Sequence, residues 1–197
     1  MSEPGRRSDA IVHLAWPHSQ PLIHGDDDPL LPHLEACFPR ARRVCIAVAF
    51  VLDQGVDLIR PYLVDLLAAG GELRLLTGDY FDCTEPRGLE RLLDLQAEPA
   101  VRDCPSRLDL RVFETRGKAF HPKAYVFHHD GEGIAFVGSS NLSRTALGHG
   151  VEWNYRIIAS SDAVGFASVT SAFDALFVHA HTASAGRGSA RSRSGGG

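Results

Sequence analysis

A histidine and a lysine stand two positions apart in the apolar run FHPKAYVF, at His121 and Lys123. Such a run of aromatic and β-branched residues predicts a strand over residues 120–127. Because side chains at i and i+2 of a strand point to the same side, we expect the imidazole and the ammonium group to form a small cationic patch. Whether this patch does chemistry depends on which side chains the fold brings beside it.

Two more polar groups follow in order along the chain. The sequence G-S-S-N spans residues 138–141 directly after the predicted strand IAFV, and Glu152 stands at the head of the next predicted strand. The ordered set of H-x-K, G-S-x-N and a spaced acid resembles the phospholipase D superfamily. The resemblance is strongest from Lys118 to Arg156, where the chain looks most like the nuclease-type phospholipase D-like domains of bacteria.

The resemblance implies a phosphodiesterase that needs no metal and no cofactor. In the family the histidine, here His121, attacks phosphorus to form a phosphohistidine, and a second histidine protonates the leaving oxygen. Imidazole suits both tasks because its unperturbed pKa is roughly 6.5. Lys123 and the amide of Asn141 would bind the non-bridging oxygens and absorb transition-state charge. Glu152 is the candidate for orienting an imidazole, and Ser139 could donate a further hydrogen bond.

The chain carries a single H-x-K, whereas this mechanism needs two histidines. Single-motif members of the family meet the requirement as homodimers. An isologous interface brings the same residue of each subunit face to face. We therefore expect a homodimer with one composite site that contains both copies of His121.

The sequence departs from the family pattern at His128, which stands where the common form has an aspartate five residues after the lysine. This change weakens the case for a lipid-type member, in which the full motif is usual. It does not affect the nucleophile or the phosphate-binding residues. The change is also compatible with a family member that keeps the fold but has lost catalytic activity.

Several of these residues also have plainer interpretations. G-S-S-N favours a turn followed by a helix cap as well as a phosphate site. Arg144 could grip a flanking phosphate or lie exposed on a helix. His128, His129 and His149 could suggest a metal site with His121, but no acidic or cysteine partner has ligand spacing, so the sequence favours surface histidines.

The elements that must position this set alternate along the front half as strand, helix, strand, helix, strand. A β-hairpin with its turn at DGEG, one more strand and a closing helix follow. The pattern predicts an α/β fold in which a mixed β-sheet is sandwiched between helices, as in phospholipase D-like α/β/α domains. We assign residues 1–10 to a disordered N-terminus, 11–179 to the domain and 180–197 to a flexible Gly/Ser/Arg linker.

Net charge, cysteine pattern and hydropathy restrict the classes of function that fit this sequence. The formal net charge is -4, so nucleic acid would have to be held by a local basic patch. Four cysteines without a C-x-x-C pair, and no apolar run of membrane-spanning length, predict a reduced, cytoplasmic protein. We expect a DNA endonuclease domain, DNA being favoured over RNA. The alternative is a catalytically silent nucleic-acid-binding or dimerisation module of a larger helicase- or restriction-type protein, fused beyond the linker.

Overall fold

Eight strands form one mixed sheet in a computed structural model that describes residues 20–79, 83–179 and 181–185. The strands lie side by side in the order β1-β7-β6-β5-β2-β3-β4-β8. Their bounds are β1 Leu22–Ile23, β2 Ala41–Val48, β3 Glu72–Gly78, β4 Arg107–Phe113, β5 Lys123–His129, β6 Glu132–Gly138, β7 Asn154–Ile158 and β8 Thr182–Ser184.

Helices cover both faces of this sheet. They are α1 Leu30–Cys37, α2 Asp53–Ala68, α3 Pro86–Leu93, α4 Arg144–Gly148 and α5 Ala163–Phe177, with short 3-10 turns at Phe38–Arg40 and Asp94–Ala97. None of these helices is long and apolar enough to cross a membrane. One apolar core joins the sheet to α1, α2 and α3, and a smaller one joins its other face to α5. The predicted α/β sandwich is confirmed.

The sheet has a parallel half and an antiparallel half. Strands β2, β3 and β4 run parallel, which suits the strand-helix alternation of the front half. Strand β5 pairs with β2 in the opposite direction and continues through a tight turn at Asp130 and Gly131 into β6. Gly131 has a φ of +78°, a conformation that glycine adopts at little cost. The predicted hairpin is therefore confirmed.

Strand β2 lies at the centre of the sheet and is buried on both faces. Its side chains alternate: Val44 and Ile46 face the core beneath α1 and α2, whereas Cys45 and Ala47 face α5. This explains the near-continuous apolar run in the sequence, since a strand covered on both sides has no polar face.

The prediction that residues 120–127 form one strand is wrong for its first three residues. Strand β5 begins at Lys123, and His121 lies in the loop before it. The physical reason is Pro122, which has no N–H to donate to a neighbouring strand. The cationic patch therefore consists of one loop residue and one strand residue rather than two side chains on a single strand face.

The linker prediction for residues 180–197 is wrong at Thr182–Ser184, which form β8 on the edge of the sheet beside β4. Residues 186–197 lie outside the described part of the chain. The same holds for residues 1–10, predicted to be disordered, and for residues 11–16, whose apolar sequence IVHLAW predicts a short strand. Helix α2 runs from Asp53 to Ala68 with Pro61 inside it, although a proline within a helical pattern predicts a kink or break.

Gly55 in the first turn of α2 sets how closely this helix approaches the segment after β6. A Cβ at Gly55 would lie 2.3 Å from the carbonyl oxygen of Leu142. We expect Gly55→Ala to lower the free energy of unfolding by about 1–3 kcal/mol, because the backbone contact cannot relax as a side chain would. Thermal or urea unfolding measures this.

Gly148, the last residue of α4, provides the matched control. A Cβ there would meet nothing within 4 Å. Gly148→Ala should leave stability unchanged or raise it by up to about 1 kcal/mol, as alanine normally does in a helix. Equal effects of the two substitutions would show that the close approach at Gly55 does not limit the fold.

Candidate active site

The predicted site residues converge at the carboxyl end of β2. Lys123, the first residue of β5, lies opposite Val48, the last residue of β2. Two residues beyond that strand end, the backbone N–H of Phe50 donates a 3.2 Å hydrogen bond to Oδ1 of Asn141. The ammonium-bearing residue and the amide-bearing residue are thus both anchored to the same strand end, although 18 positions separate them in the sequence.

The G-S-S-N turn is held from below by Ser140, which is completely buried. Its Oγ donates to the carbonyl oxygen of Ala146 at 3.2 Å and accepts from Nδ2 of Asn154 at 2.9 Å. Its own carbonyl oxygen accepts from the hydroxyl of Tyr125 at 3.2 Å. Buried polar groups that are satisfied in this way make a rigid support, so the turn is firmly positioned.

Ser139 joins the turn to the segment that carries Glu152. Its Oγ donates a short hydrogen bond to Oε2 of Glu152 and accepts from the backbone N–H of Trp153 at 3.0 Å. Its own N–H donates to the carbonyl oxygen of Trp153 at 2.9 Å. The hydroxyl hydrogen of Ser139 is therefore directed to the Glu152 carboxylate, and the pair acts as one unit beside the site.

Lys123 begins β5 at this strand end, and His121 lies in the loop just before it. His121 is exposed, whereas Lys123 is half-buried and its Nζ donates to the backbone carbonyl of His121 at 2.9 Å. Burial lowers the pKa of Lys123, and the negative charge of Glu152 partly opposes that change. Glu152 is thus near enough to act on the lysine electrostatically. A half-buried ammonium group beside exposed imidazole is suited to binding an anion.

Arg144 is exposed as the first residue of α4 and makes no ion pair with any residue in the described ranges. The helix is capped by Ser143, whose Oγ accepts from the N–H of Ala146 at 3.2 Å, so the plainer interpretation of this segment as a turn and cap also holds. Arg144 lines a cleft of about 510 Å³ between the starts of α2, α3 and α4. The arginine and the cleft adjoin the turn that carries Asn141.

His128, at the usual position of the family's aspartate, lies at the other end of β5. It is half-buried, its ring meets Phe166 edge-on at a centroid distance of 5.4 Å, and it contacts the guanidinium of Arg43. Burial, and then the charge of Arg43, lowers the pKa of His128 to about 4. This imidazole therefore packs as a neutral ring. No group of three or more His, Cys, Asp or Glu in the described ranges could hold a metal ion.

Sequence reasoning missed the supporting residues Ser140, Asn154 and Tyr125. One signal was available, because G-S-S-N contains a second serine. Another was the polar Asn154, which lies at the inward-facing start of a strand and is 2% exposed. Their partners are distant in the sequence, so the hydrogen bonds themselves could not be read from it.

Comparison with known proteins clarifies the fold. No protein-family model and no curated protein matches the sequence. Solved structures do match, including these three. NucT from Helicobacter pylori has a TM-score of 0.52 at 15% identity, with 75% of this chain and 87% of NucT covered. Polyphosphate kinase from Porphyromonas gingivalis has a TM-score of 0.53 at 13% identity, with 81% of this chain and 21% of the kinase covered. Phosphatidylserine synthase from Haemophilus influenzae has a TM-score of 0.54 at 14% identity, with 83% of this chain and 38% of the synthase covered.

All three are members of the phospholipase D superfamily. The chain has the phospholipase D-like fold. The fold that the motif resemblance implied is thereby confirmed. The chain spans most of NucT but less than two fifths of each of the other two proteins, so the shared part is this one phospholipase D-like unit.

The electrostatic coupling of Lys123 to Glu152 can be tested directly, because the chain has only two lysines, Lys118 and Lys123. The carboxylate raises the pKa of Lys123, so Glu152→Gln should lower it further. NMR titration of 13C-labelled lysine would report this, with the signal of Lys118 as an internal control. An unchanged Lys123 titration would show that the two groups do not interact.

Proposed function

We propose that this protein is a metal-independent phosphodiesterase that cleaves DNA through a phosphohistidine intermediate, at a site shared across a homodimer. The observation that carries the proposal is the anchoring of Lys123 and Asn141 to one strand end, with the Ser139–Glu152 pair beside the turn. Phospholipase D-like structures similar to this chain include a nuclease and phosphoryl-transfer enzymes, which supports phosphodiester chemistry.

In the proposed reaction, Nε2 or Nδ1 of His121 attacks phosphorus, so that a P–N bond forms as the P–O bond to the leaving oxygen breaks. The partner subunit's His121 gives its proton to that oxygen. Water then attacks phosphorus, loses a proton to the partner imidazole and releases His121. Lys123 and the Nδ2 donor of Asn141 bind the non-bridging oxygens, which carry more charge in the transition state.

Glu152 and Ser139 act as positioning residues in this scheme, and Arg144 grips a phosphate next to the scissile one. The Glu152 carboxylate already has one hydrogen bond, from Ser139. A carboxylate can accept several hydrogen bonds, so the same group is able to hold an imidazole N–H in the orientation that presents the other ring nitrogen to phosphorus.

We further propose a cytoplasmic location and a fusion to a helicase-like or restriction-type domain beyond the linker. Supporting the location, no disulfide joins any two of the four cysteines, all of which lie in described segments. Thiols that stay reduced are usual in the cytoplasm. Supporting the fusion, the last residues of the sequence are rich in Gly, Ser and Arg, as linkers between domains are.

The nucleophile is tested by His121→Ala, assayed on single- and double-stranded DNA in EDTA. We expect the cleavage rate to fall by about 10²–10⁴-fold or more, because the variant lacks both the nucleophile and the acid. His149→Ala is the matched control, since this histidine is also exposed and lies in a loop, directly after α4, and it should retain full activity. Equal cleavage by wild type and His121→Ala would refute the proposed mechanism.

The shared site predicts a non-linear response when subunits are mixed. Equal amounts of wild type and His121→Ala, unfolded and refolded together, would pair at random into about one half heterodimers, which carry a single His121, and about one quarter of each homodimer. If each site needs both copies, about one quarter of the activity should remain, whereas independent sites would keep about one half. Sedimentation velocity of the same samples measures the oligomeric state, and a monomer would exclude the composite site.

A further inference from the structure

A row of exposed apolar side chains lies on the sheet face that α5 covers only in part. Leu22 of β1 pairs with Tyr155 of β7, which in turn pairs with Val137 of β6, so the three form a line across neighbouring strands. Their exposed fractions are 37%, 51% and 36%, and Trp153, two residues before Tyr155, is 65% exposed. We call these four residues the apolar strip.

The path of α5 explains why the strip is left open. Phe166, in the first turn of the helix, packs on Gly133 at the start of β6, where a Cβ would lie 2.3 Å from its ring. Farther along, Phe173 and Phe177 lie against the guanidinium of Arg74 in β3. The helix therefore crosses the sheet from the start of β6 towards β3 and β4, away from the end of β6.

The strip begins at the candidate site. Gly138, the last residue of β6, pairs with Asn154, so Trp153 lies at the same end of the sheet as the G-S-S-N turn. Two hydrogen bonds, from Trp153 N–H to Ser139 Oγ and from Ser139 N–H to Trp153 O, fix the tryptophan backbone to that turn. A ligand bound at the turn is thus adjacent to the backbone of Trp153, whose side chain is exposed.

We propose that the apolar strip stacks unpaired bases, so that the substrate of this site is single-stranded nucleic acid; the inference rests on the proposed function. In a nucleic acid strand a single sugar joins each base to its phosphate. The side chain of Lys123, opposite Val48, lies on the sheet face that α1 and α2 cover, whereas Val137 and Tyr155 lie on the α5 face. A strand whose phosphate lies at Lys123 and Asn141 therefore passes round this end of the sheet, beside Trp153, to bring neighbouring bases to Tyr155. Aromatic rings bind such bases without regard to sequence, because every base has a π-face.

The geometry of the strip fits bases better than a protein partner. Trp153 directly precedes β7 and Tyr155 is the second residue of that strand, so the two exposed rings start two residues, roughly 6–7 Å, apart along the extended chain. In a duplex the faces of the bases are already covered by their neighbours. A stable protein interface needs roughly 20–30 residues on each side, and the strip offers four.

The test compares two labelled 12-mers by fluorescence anisotropy in EDTA: oligo-dT, and an abasic strand that keeps the phosphates but has no bases. All proteins carry His121→Ala, so that neither strand is cleaved. The parent should bind oligo-dT at least about tenfold more tightly than the abasic strand, and a dT–dA duplex more weakly than oligo-dT. Trp153→Leu should remove most of this preference while binding of the abasic strand stays unchanged.

Two matched variants separate stacking from general apolar contact. Trp153→Phe keeps an aromatic plane and should retain most of the preference for oligo-dT. Since leucine and phenylalanine are both apolar, a difference between the two variants reports stacking rather than apolar contact. Val164→Ala shortens an exposed apolar side chain outside the strip, on α5, where Val164 is 80% exposed, and should have no effect. Equal affinity for both strands, or equal behaviour of the Leu and Phe variants, would overturn the inference.

Other outcomes would assign the strip differently. If Trp153→Leu weakened binding of both strands equally and turned a dimer into a monomer in sedimentation velocity, the strip would be a contact between copies of the chain and the inference would be wrong. The proposed function can fail separately from this inference. If the wild-type protein cleaved no nucleic acid but still preferred oligo-dT to the abasic strand, the proposed catalysis would be wrong and the stacking site would stand.

Discussion

The antiparallel pairing of β5 with β2 is the constraint on which the rest of the structure depends. It joins the parallel half of the sheet to the antiparallel half and places the first residue of β5 opposite the last residue of β2. Lys123 therefore lies where the loop after β2 also receives Asn141 through the Phe50 hydrogen bond. A shift of one residue in this register would send every side chain of β5 to the other face of the sheet.

Around this strand end, the buried polar groups lie beneath the G-S-S-N turn and support it, whereas the exposed polar groups lie above it and face solvent. Beneath the turn, the hydroxyl of Ser140, the amide of Asn154 and the hydroxyl of Tyr125 are buried and bonded to one another or to backbone. Above it, His121 and Ser139 are exposed. A group that must bind and release a substrate has to stay accessible, whereas the groups that hold it in place are most rigid when water is excluded.

The electrostatics of the site are local. The chain as a whole has a formal net charge of -4, so long-range attraction of a polyanion would not favour binding. The half-buried Lys123 acts over a shorter range, because partial exclusion of water strengthens the interaction of its ammonium group with any nearby anion. The apolar strip is compatible with the same arrangement, since stacking adds affinity without requiring positive charge.

The sequence by itself determined the α/β/α architecture, the hairpin and the set of residues suited to phosphodiester chemistry. It could do so because apolar periodicity and turn residues are local signals, and because H-x-K and G-S-S-N keep their order and type along the chain. It failed where one residue overrode the pattern, as Pro122 did by starting β5 at Lys123. Only the tertiary structure decided that Ser139 binds Glu152, that Ser140 supports the turn and that α5 leaves Trp153 and Tyr155 exposed. Those contacts join residues from separate strands and helices, and their geometry depends on packing that no short stretch of sequence encodes.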